Sequence, residues 1–370
     1  MSTLAGFARV TRDMRAPRVS VLMSVYNGER YLRGALDSIC QQSLRDLESV
    51  IVDDGSTDAT WSILESYARL DARLVLIQNQ RNIGLSRSLN RGLNLARARY
   101  VARMDADDVS LPERLRAQAD FLDAHPDVGV LGCAVQVIDA CGNPQFVRRF
   151  PAEHGVLRWR LCFQSPIVHP TAMMRRDVLR QVGGYDPHLP VAQDYDLWER
   201  LICTTRLANL PEVLLCFRKH PESVEGRRHA EQRLRGIEIS RRVMSRILGE
   251  EPPIDAVQCL WQKDPGSGGQ LRQTAGLVAR LCLAFLEDNA LSVSEKQIVR
   301  REAAARLWRL ARLRVWCPEA WQVALSSLRV DPLEAGREET RRVWHPIRKA
   351  LLAARKLSAR RLREADPCTS

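Results

Sequence analysis

The first part of the chain alternates between short apolar runs and longer segments in which apolar residues recur every three or four positions. Apolar runs of strand length predict four strands: Val19–Tyr26, Leu47–Val52, Leu74–Gln78 and Tyr100–Met104. Helical spacing in the intervening segments predicts three helices: Arg30–Gln42, Thr57–Leu70 and Gly84–Ala98. This alternation predicts an α/β fold with a mostly parallel sheet and helices on both of its faces.

Polar side chains follow three of these strands at the point where each apolar run ends. Asn27 follows the first strand, Asp53 the second and Asp105 the fourth. Ligands of open α/β sheets bind beyond the carboxyl ends of the strands. We therefore expect these residues to converge on one site at that edge of the sheet.

The pattern changes after Asp108. Leu111–Ala124 predicts a further helix, whereas Val128–Ile138 and Leu207–Arg218 predict strands. From about residue 231 the sequence has helical spacing and is rich in arginine. We therefore predict three regions: an N-terminal extension at residues 1–17, an α/β domain at 18–230, and a basic helical C-terminal region at 231–370.

The charge of the chain is concentrated near its C-terminus. The formal net charge is +12 over 370 residues, and the segment from Arg341 to Ser370 holds nine basic residues against two acidic ones. This segment predicts either a solvated helix face or, over Arg341–Arg363, a patch that binds an anionic membrane surface. Nucleic acid is not an expected partner, because neither interleaved aromatic residues nor a zinc-finger pattern accompanies the charge.

The expected location of the protein follows from its apolar runs and its cysteines. No apolar stretch reaches the length of a membrane-spanning helix. The ten cysteines form no CxxC pair, which is typical of free thiols in a reducing compartment. We predict a cytoplasmic protein, held peripherally at the inner face of the membrane if its C-terminal patch binds lipid.

The most informative polar cluster is Met104–Asp108. Carboxylates such as Asp105 and Asp107 supply the hard oxygen ligands that Mg²⁺ or Mn²⁺ accepts together with water and substrate phosphate. In isolation the pattern is more typical of a polar turn before a helix. Its position directly after a buried strand favours a metal and diphosphate site, with Arg103 and His220 as further partners for phosphate or sugar oxygens.

Two other polar segments carry candidate chemistry. Asp53 opens the turn Asp53–Asp58, and its carboxylate can accept a hydrogen bond from a nucleotide base, although the same turn also connects a strand to a helix. Asp194 lies in Gln193–Trp198 at the start of a helical run. There it predicts either a general base for an acceptor hydroxyl or a helix cap.

Four motifs stand in order between Arg18 and His220. They are SVLMSVYNGERYLRGALDSICQQ, VIVDDGSTD, NIGLSRSLNRGLNLARARYVARMDADD followed by LPERL, and HPTAMMRRDVLRQVGGYDPHLPVAQDYDLWERL. In order and spacing they resemble the motifs of the family 2 glycosyltransferases, which have the GT-A fold. Members of that family transfer a sugar with inversion from a UDP-, GDP- or dTDP-sugar and use a divalent cation.

The resemblance implies a site for a nucleotide-sugar donor. Ser24, Asn27 and Asp53 match the positions at which the family holds the base and the ribose. Asp105 and Asp107 match the motif that binds Mn²⁺ or Mg²⁺ together with the donor diphosphate.

The resemblance also implies a reaction. Asp194 matches the proposed catalytic base, and it is preceded by Gln193 where the family often has glutamate. The QxxRW motif of processive members is absent, which favours transfer of a single sugar. The predicted function is an inverting transferase that moves one sugar, with a UDP-sugar as first choice, to a glycan or lipid-linked acceptor in surface polysaccharide biosynthesis. The alternative is a catalytically inactive partner that binds a nucleotide sugar within a glycan assembly complex.

Deletion of the residues from Arg341 onwards tests the membrane interpretation. The truncated protein should no longer cosediment with anionic vesicles, because each basic residue near such a surface contributes about 1 kcal/mol to binding. Its activity on a soluble acceptor should equal that of the full chain. Vesicles of neutral lipid are the control, and undiminished binding of the truncated protein to anionic vesicles would exclude the patch.

Overall fold

The computed structural model describes residues 16–221, 228–262, 267–312 and 322. The chain divides into two compact units, Met1–Arg246 and Ile247–Ser370. Most of the predicted extension at residues 1–17 and all of the predicted membrane patch Arg341–Arg363 lie outside the described residues. The boundary near residue 230, where the composition changes, stays a prediction.

The first unit begins with four strands and three helices in alternation. The strands are β1 (Val19–Val25), β2 (Leu47–Asp53), β3 (Leu74–Gln78) and β4 (Tyr100–Met104). The helices are α1 (Glu29–Cys40), α2 (Thr60–Leu70) and α3 (Leu85–Leu95). The strands lie in the order β3-β2-β1-β4, and every pair among them is parallel. The predicted elements are therefore present, with small shifts at their ends.

Burial on both faces explains why these strands read as continuous apolar runs. Every residue of β2 is buried, and Ser24 is the one partly exposed residue of β1. Helix α1 buries one face, formed by Leu32, Leu36 and Ile39. Helix α3 approaches the sheet so closely that a Cβ atom on Gly92 would lie 2.5 Å from Leu22 Cδ1.

Beyond β4 the same sheet becomes mixed. Its further strands are β5 (Val109–Ser110), β6 (Val128–Ile138), β7 (Pro144–Arg148), β8 (Met173–Arg175) and β9 (Arg206–Arg218). The order continues as β4-β8-β6-β9-β5, and β7 pairs with β6. β6 and β9 are parallel, whereas the other pairs of this part are antiparallel. The prediction of a mostly parallel sheet therefore describes the first four strands, and the remainder is largely antiparallel.

Four helices lie between or after the strands of the second half of the sheet in the chain. They are α4 (Arg114–Ala124), α5 (His154–Leu161), α6 (Arg176–Gln181) and α7 (Gln193–Leu201). Helix α4 begins at Arg114 rather than at the predicted Leu111, because the preceding residues pair with β9 and the Leu111 N–H donates to the Leu214 carbonyl at 2.9 Å. Strand β9 therefore pairs with β5, the short strand that follows β4 in the chain.

The C-terminal region is helical wherever the structure describes it. Helix α8 (His229–Leu248) begins in the first unit, and α9 (Ile254–Gln262), α10 (Gly268–Leu286) and α11 (Val293–Arg312) belong to the second. Ser267 and Gln270 form a reciprocal capping box at the start of α10. None of the described helices combines the length and the apolar character that crossing a bilayer needs.

The described cysteines are all free thiols. Four of them, Cys133, Cys162, Cys259 and Cys282, are buried, whereas Cys141 and Cys203 are exposed. Burial raises the pKa of the Cys133 thiol to about 11, so it behaves as an apolar core residue. The predicted buried thiols are therefore only half of the described set.

A pair of glycine substitutions tests the close approach of α3 to the sheet. Gly92→Ala should destabilise the protein relative to Gly34→Ala, because overpacking costs about 1–3 kcal/mol whereas alanine gains about 1 kcal/mol of helix propensity at either position. Gly34 in α1 is the matched control, since a Cβ atom there meets nothing within 4 Å. Urea unfolding measures both variants, and equal stabilisation by the two substitutions would contradict the packing.

Candidate active site

The carboxyl ends of β2, β1 and β4 lie side by side and carry the predicted polar residues. Ser24 is partly exposed at the end of β1 and stands in register with Val52 of β2. Asn27 has a left-handed backbone with φ 50°. Its Oδ1 accepts the Thr57 N–H at 2.9 Å, and its own N–H donates to Ser56 Oγ at 2.9 Å. Asn27 therefore joins the loop after β1 to the loop after β2.

Asp53, the predicted partner of the nucleotide base, has no exposed surface. Its carboxylate accepts the Ser56 N–H at 3.1 Å and the Gln78 Nε2 at 3.2 Å. A cavity of about 330 Å³ adjoins Gln78 and has an amide and cationic lining: Gln78, Asn79, Gln80, Arg81, Ile83 and Arg91. Direct contact between Asp53 and a base requires the Gln78 side chain to move aside.

The neighbouring Asp54 was not singled out from the sequence, although it is the second residue of the same acidic pair. It is buried, and its carboxylate accepts the N–H groups of Ile83 and Gly84, each at 2.9 Å. Asn79 donates to it as well, at 2.8 Å. Asp54 therefore fixes the loop that runs from β3 to α3, which forms part of the cavity wall.

The acidic segment after β4 brings three carboxylates together. Ligand oxygens of Asp105, Asp107 and Asp108 all lie within 4.8 Å of one another. The side chains of Asp105 and Asp107 are 30% and 31% exposed, whereas Asp108 is buried. Burial, followed by the charges of the other two carboxylates, raises the pKa of Asp108 well above its usual range. A divalent cation would relieve this repulsion, and the all-oxygen donor set fits Mg²⁺ or Mn²⁺.

The end of β9 supplies two further side chains to this segment. His220 Nε2 lies 2.9 Å from Asp107 Oδ2, so the histidine predicted to reach a phosphate stands beside a predicted metal ligand. Arg218 donates from Nε to the Asp107 carbonyl at 2.8 Å and from its N–H to Asp108 Oδ1 at 2.8 Å. The Tyr31 ring packs against both, 4.7 Å from the Arg218 guanidinium and 5.0 Å from the His220 ring.

Buried arginines hold the end of β4 from inside the protein. Arg103 is 2% exposed and forms an ion pair with Asp105. Burial, the largest single cause, lowers the pKa of Arg103, but the charge of Asp105, its hydrogen bond to Arg103 and the smaller effects of Tyr185 and Asp108 together give a net upward shift. Arg114 donates to the Arg103 carbonyl at 2.7 Å and to Gln118 Oε1 at 3.1 Å, and burial lowers its pKa to about 10. Arg103 thus contacts the predicted metal site from its buried side, through the ion pair with Asp105.

Asp194 lies in the first turn of α7, after Ala192, whose backbone is left-handed with φ 56°. Its Oδ2 accepts the Ser165 hydroxyl at 3.2 Å. Burial raises the pKa of Asp194, while hydrogen bonds from the Tyr195 N–H and Ser165 and the charge of Arg103 oppose that rise. The residue that caps α7 is Ala192, so Asp194 does not serve as the cap.

The charge of the buried Arg103 acts on several of these residues. Its charge acts on the carboxylates of both Asp105 and Asp194, which come from distant parts of the chain. It also acts on the buried pair formed by Tyr185 and His169, in which the hydroxyl and ring Nε2 are 2.8 Å apart. Arg103 is therefore close enough to both Asp105 and Asp194 to influence their carboxylates, and Asp53 is the last residue of β2.

Comparison with known proteins shows the family to which the chain belongs. The model of the glycosyl transferase family 2 matches residues 20–183. The chain is 37% identical to EpsE of Bacillus subtilis, a protein described as a putative glycosyltransferase, over 57% of this chain and 76% of EpsE. It is 35% identical to the amylovoran biosynthesis glycosyltransferase AmsE of Erwinia amylovora, over 56% of this chain and 79% of AmsE. The chain belongs to glycosyltransferase family 2.

Other relatives and a solved structure complete the comparison. An uncharacterised glycosyltransferase of Haemophilus influenzae is 34% identical, and the match spans 66% of its length, slightly under two thirds. The fragment 1–349 of S. aureus TarS in complex with UDP-GlcNAc superposes with a TM-score of 0.54 at 21% identity, covering 87% of this chain and 92% of that fragment. The GT-A fold predicted for this family 2 member is confirmed.

The buried His169 predicts a pH dependence of stability. Burial and the charge of Arg103 hold the pKa of His169 well below its ordinary 6.5, so only the unfolded chain binds this proton near pH 6. The free energy of unfolding should therefore fall as the pH drops below 6.5, by up to about 1.4 kcal/mol per pH unit.

The substitution His169→Gln should remove this part of the slope, because glutamine stays neutral. Urea unfolding at a series of pH values measures the effect. His188→Gln is the matched control, since the His188 side chain is exposed. Identical slopes for wild type and His169→Gln would contradict the assignment of a neutral buried imidazole.

Proposed function

We propose that this family 2 glycosyltransferase moves a single sugar, with inversion, from a nucleotide diphosphate sugar to a hydroxyl of a glycan or lipid-linked acceptor. One observation carries the proposal: ligand oxygens of Asp105, Asp107 and Asp108 lie within 4.8 Å of one another directly after β4 in a chain of this family. A diphosphate leaving group needs a cation site, and an acceptor hydroxyl needs a base. The acidic cluster is the proposed cation site, and Asp194 on α7 is the proposed base.

Asp105 and Asp107 are the proposed ligands of Mn²⁺ or Mg²⁺. When bound, the cation neutralises the negative charge that develops on the leaving diphosphate. His220 holds the carboxylate of Asp107 at 2.9 Å, and Arg218 holds its backbone, so the ligand is oriented before the donor arrives. Arg103 is proposed to orient Asp105 in the same way and to attract the donor phosphates.

Asp194 is the proposed catalytic base. Its raised pKa makes the carboxylate a better proton acceptor, while the Ser165 hydrogen bond and the charge of Arg103 favour its ionised form and oppose the rise. Asp194 accepts the proton of the acceptor hydroxyl, and the oxygen attacks the anomeric carbon from the face opposite the leaving diphosphate. The bond to the diphosphate breaks as the new glycosidic bond forms, and the configuration inverts.

The proposed donor is a UDP-sugar held by the loops after β1 and β2. Ser24 and Asn27 border this rim, and Asp53 becomes available to the base when Gln78 moves from its carboxylate. The UDP-GlcNAc complex of the structurally similar S. aureus fragment supports a uridine nucleotide. The names of two relatives, which refer to amylovoran and O-antigen biosynthesis, support an acceptor in surface polysaccharide synthesis.

A catalytically inactive binding partner is the second candidate. Gln193, which stands where the family often has glutamate, is 9% exposed and favours this alternative. The intact Asp105, Asp107 and Asp194 favour the enzyme. Release of UDP from a UDP-sugar in the presence of Mn²⁺ distinguishes the two, because a binding partner holds the donor without turnover.

Two substitutions test the proposed roles of the carboxylates. Asp107→Asn and Asp194→Asn should each lower kcat by at least about 100-fold, because one removes a cation ligand and the other the proton acceptor. Only Asp107→Asn should also weaken the Mn²⁺ dependence of donor binding, which calorimetry measures. Asp177→Asn, at an exposed carboxylate of α6, is the control. Turnover near the wild-type level in Asp194→Asn would remove that residue from the mechanism.

A further inference from the structure

Helix α7, which carries Asp194, also buries two carboxylates that the proposed reaction does not use. Asp196 is 5% exposed and Glu199 is 2% exposed. They lie three positions apart, a spacing at which like charges on one helix repel each other. Buried charges without partners cost several kcal/mol each, so this helix needs cations from elsewhere to remain in its place.

Helix α8 supplies those cations. Arg242 Nη2 lies 2.8 Å from Asp196 Oδ1 and 3.5 Å from Glu199 Oε2, so one guanidinium joins both carboxylates. Arg246 lies 2.5 Å from Glu199 Oε1 and also donates to the Glu199 carbonyl at 3.3 Å. Arg200 of α7 completes the set, with its Nε 2.9 Å from Asp196 Oδ2.

Apolar packing fixes α8 where these arginines reach α7. Ile239, Val243 and Met244 of α8 are buried, and the Ser240 hydroxyl donates to the Cys162 carbonyl. Arg242 and Arg246 are about half exposed, so their charged ends lie at the surface of a buried acidic pair. The pairing is therefore anchored on the α8 side by the core and not by the charges themselves.

We propose that Arg242 and Arg246 are positioning residues for Asp194, acting through Asp196 and Glu199. The proposal rests on the proposed role of Asp194 as the base. Helix α7 is only nine residues long and is entered through the left-handed Ala192, so its direction is set by contacts along its length. Loss of the two arginines removes both α8 cations from Glu199 and leaves Asp196 with Arg200. The helix then tilts to hydrate the buried Glu199 carboxylate, and the tilt displaces Asp194 from the acceptor hydroxyl.

The proposal assigns a role to a helix outside the family match. The family model ends at residue 183, whereas Arg242 and Arg246 lie well beyond it. The first compact unit nevertheless extends to Arg246. A chain that ends before α8 would retain Asp105, Asp107 and Asp194 but would lack the groups that hold α7.

The test replaces each arginine by methionine, which keeps the apolar stem and removes the charge. Arg246→Met and the double substitution Arg242→Met/Arg246→Met should lower kcat between about tenfold and 100-fold, as expected for a misplacement of a catalytic group. KM for the donor should change by less than about twofold, because the donor site is untouched. Arg235→Met is the matched control on the same helix, since Arg235 pairs with the exposed Glu238.

A compensating substitution separates positioning from general stability. Glu199→Gln in the Arg246→Met background should restore most of kcat, because it removes the buried charge that lost the nearer of its two arginine partners. A merely structural role would instead lower activity in proportion to the folded fraction, which thermal unfolding measures in parallel. Three outcomes would overturn the proposal. The first is a loss of activity that matches the loss of folded protein, and the second is wild-type kcat in Arg242→Met/Arg246→Met. The third is a kcat that Glu199→Gln does not restore in the Arg246→Met background.

Asp194→Asn, measured in the same assays, separates the positioning role of the arginines from the proposed role of Asp194 as the base. If Asp194→Asn is inactive while the arginine variants turn over normally, the positioning role fails and the proposed function stands. If Asp194→Asn remains active, the proposed base fails and the positioning role fails with it.

Discussion

Repulsion among three neighbouring carboxylates is the constraint on which the site depends. Asp105, Asp107 and Asp108 hold their oxygens within 4.8 Å of one another in a partly buried segment. Such a cluster is stable only when positive charges and hydrogen-bond donors surround it. Each carboxylate has one: Arg103 for Asp105, His220 for Asp107, and the N–H of Arg218 for Asp108.

These partners come from two strands that run in the same direction and deliver them at their carboxyl ends. β4 delivers Arg103 and the acidic segment, and β9 delivers Arg218 and His220. Arg114 supports the arrangement without an ion pair of its own among the described contacts, through the Arg103 carbonyl and Gln118. The mixed second half of the GT-A sheet therefore contributes to the site directly, because β9 brings Arg218 and His220 to the acidic segment that follows β4.

The first half of this architecture was predictable, since β1, β2 and β4 are almost wholly buried and their sequences are largely continuous apolar runs, whereas the edge strand β3 is only partly buried but is apolar over four of its five residues. The second half was predictable only in part. β5 has two residues and exists because β9 pairs with it, and every residue of β7 is exposed, so neither has a local hydrophobic pattern. Long-range pairing overrides local spacing in both cases.

The same division holds for the site. Asp105, Asp107 and Asp194 were identified by position and motif. The structure pairs Asp105 with Arg103 and Asp107 with His220, and it places Asp194 in the first turn of α7. The burial of Asp53 under Gln78 was not predictable, because it depends on side chains that meet across the β2–β3 pair. Arg218 was not predicted as a site residue. The signal for it in the sequence is its position at the end of β9, two residues before His220.

The late position of β9 in the chain has a consequence for biosynthesis on the ribosome. The contact between the Arg218 N–H and Asp108 spans 110 residues, and loop closure over such a separation carries a large entropic cost. A nascent chain that has emerged only as far as β8 already contains the acidic triad but none of its β9 partners. The triad therefore gains its β9 partners only after the last strand has been synthesised, and a divalent ion bound before then would offset the repulsion among the three carboxylates.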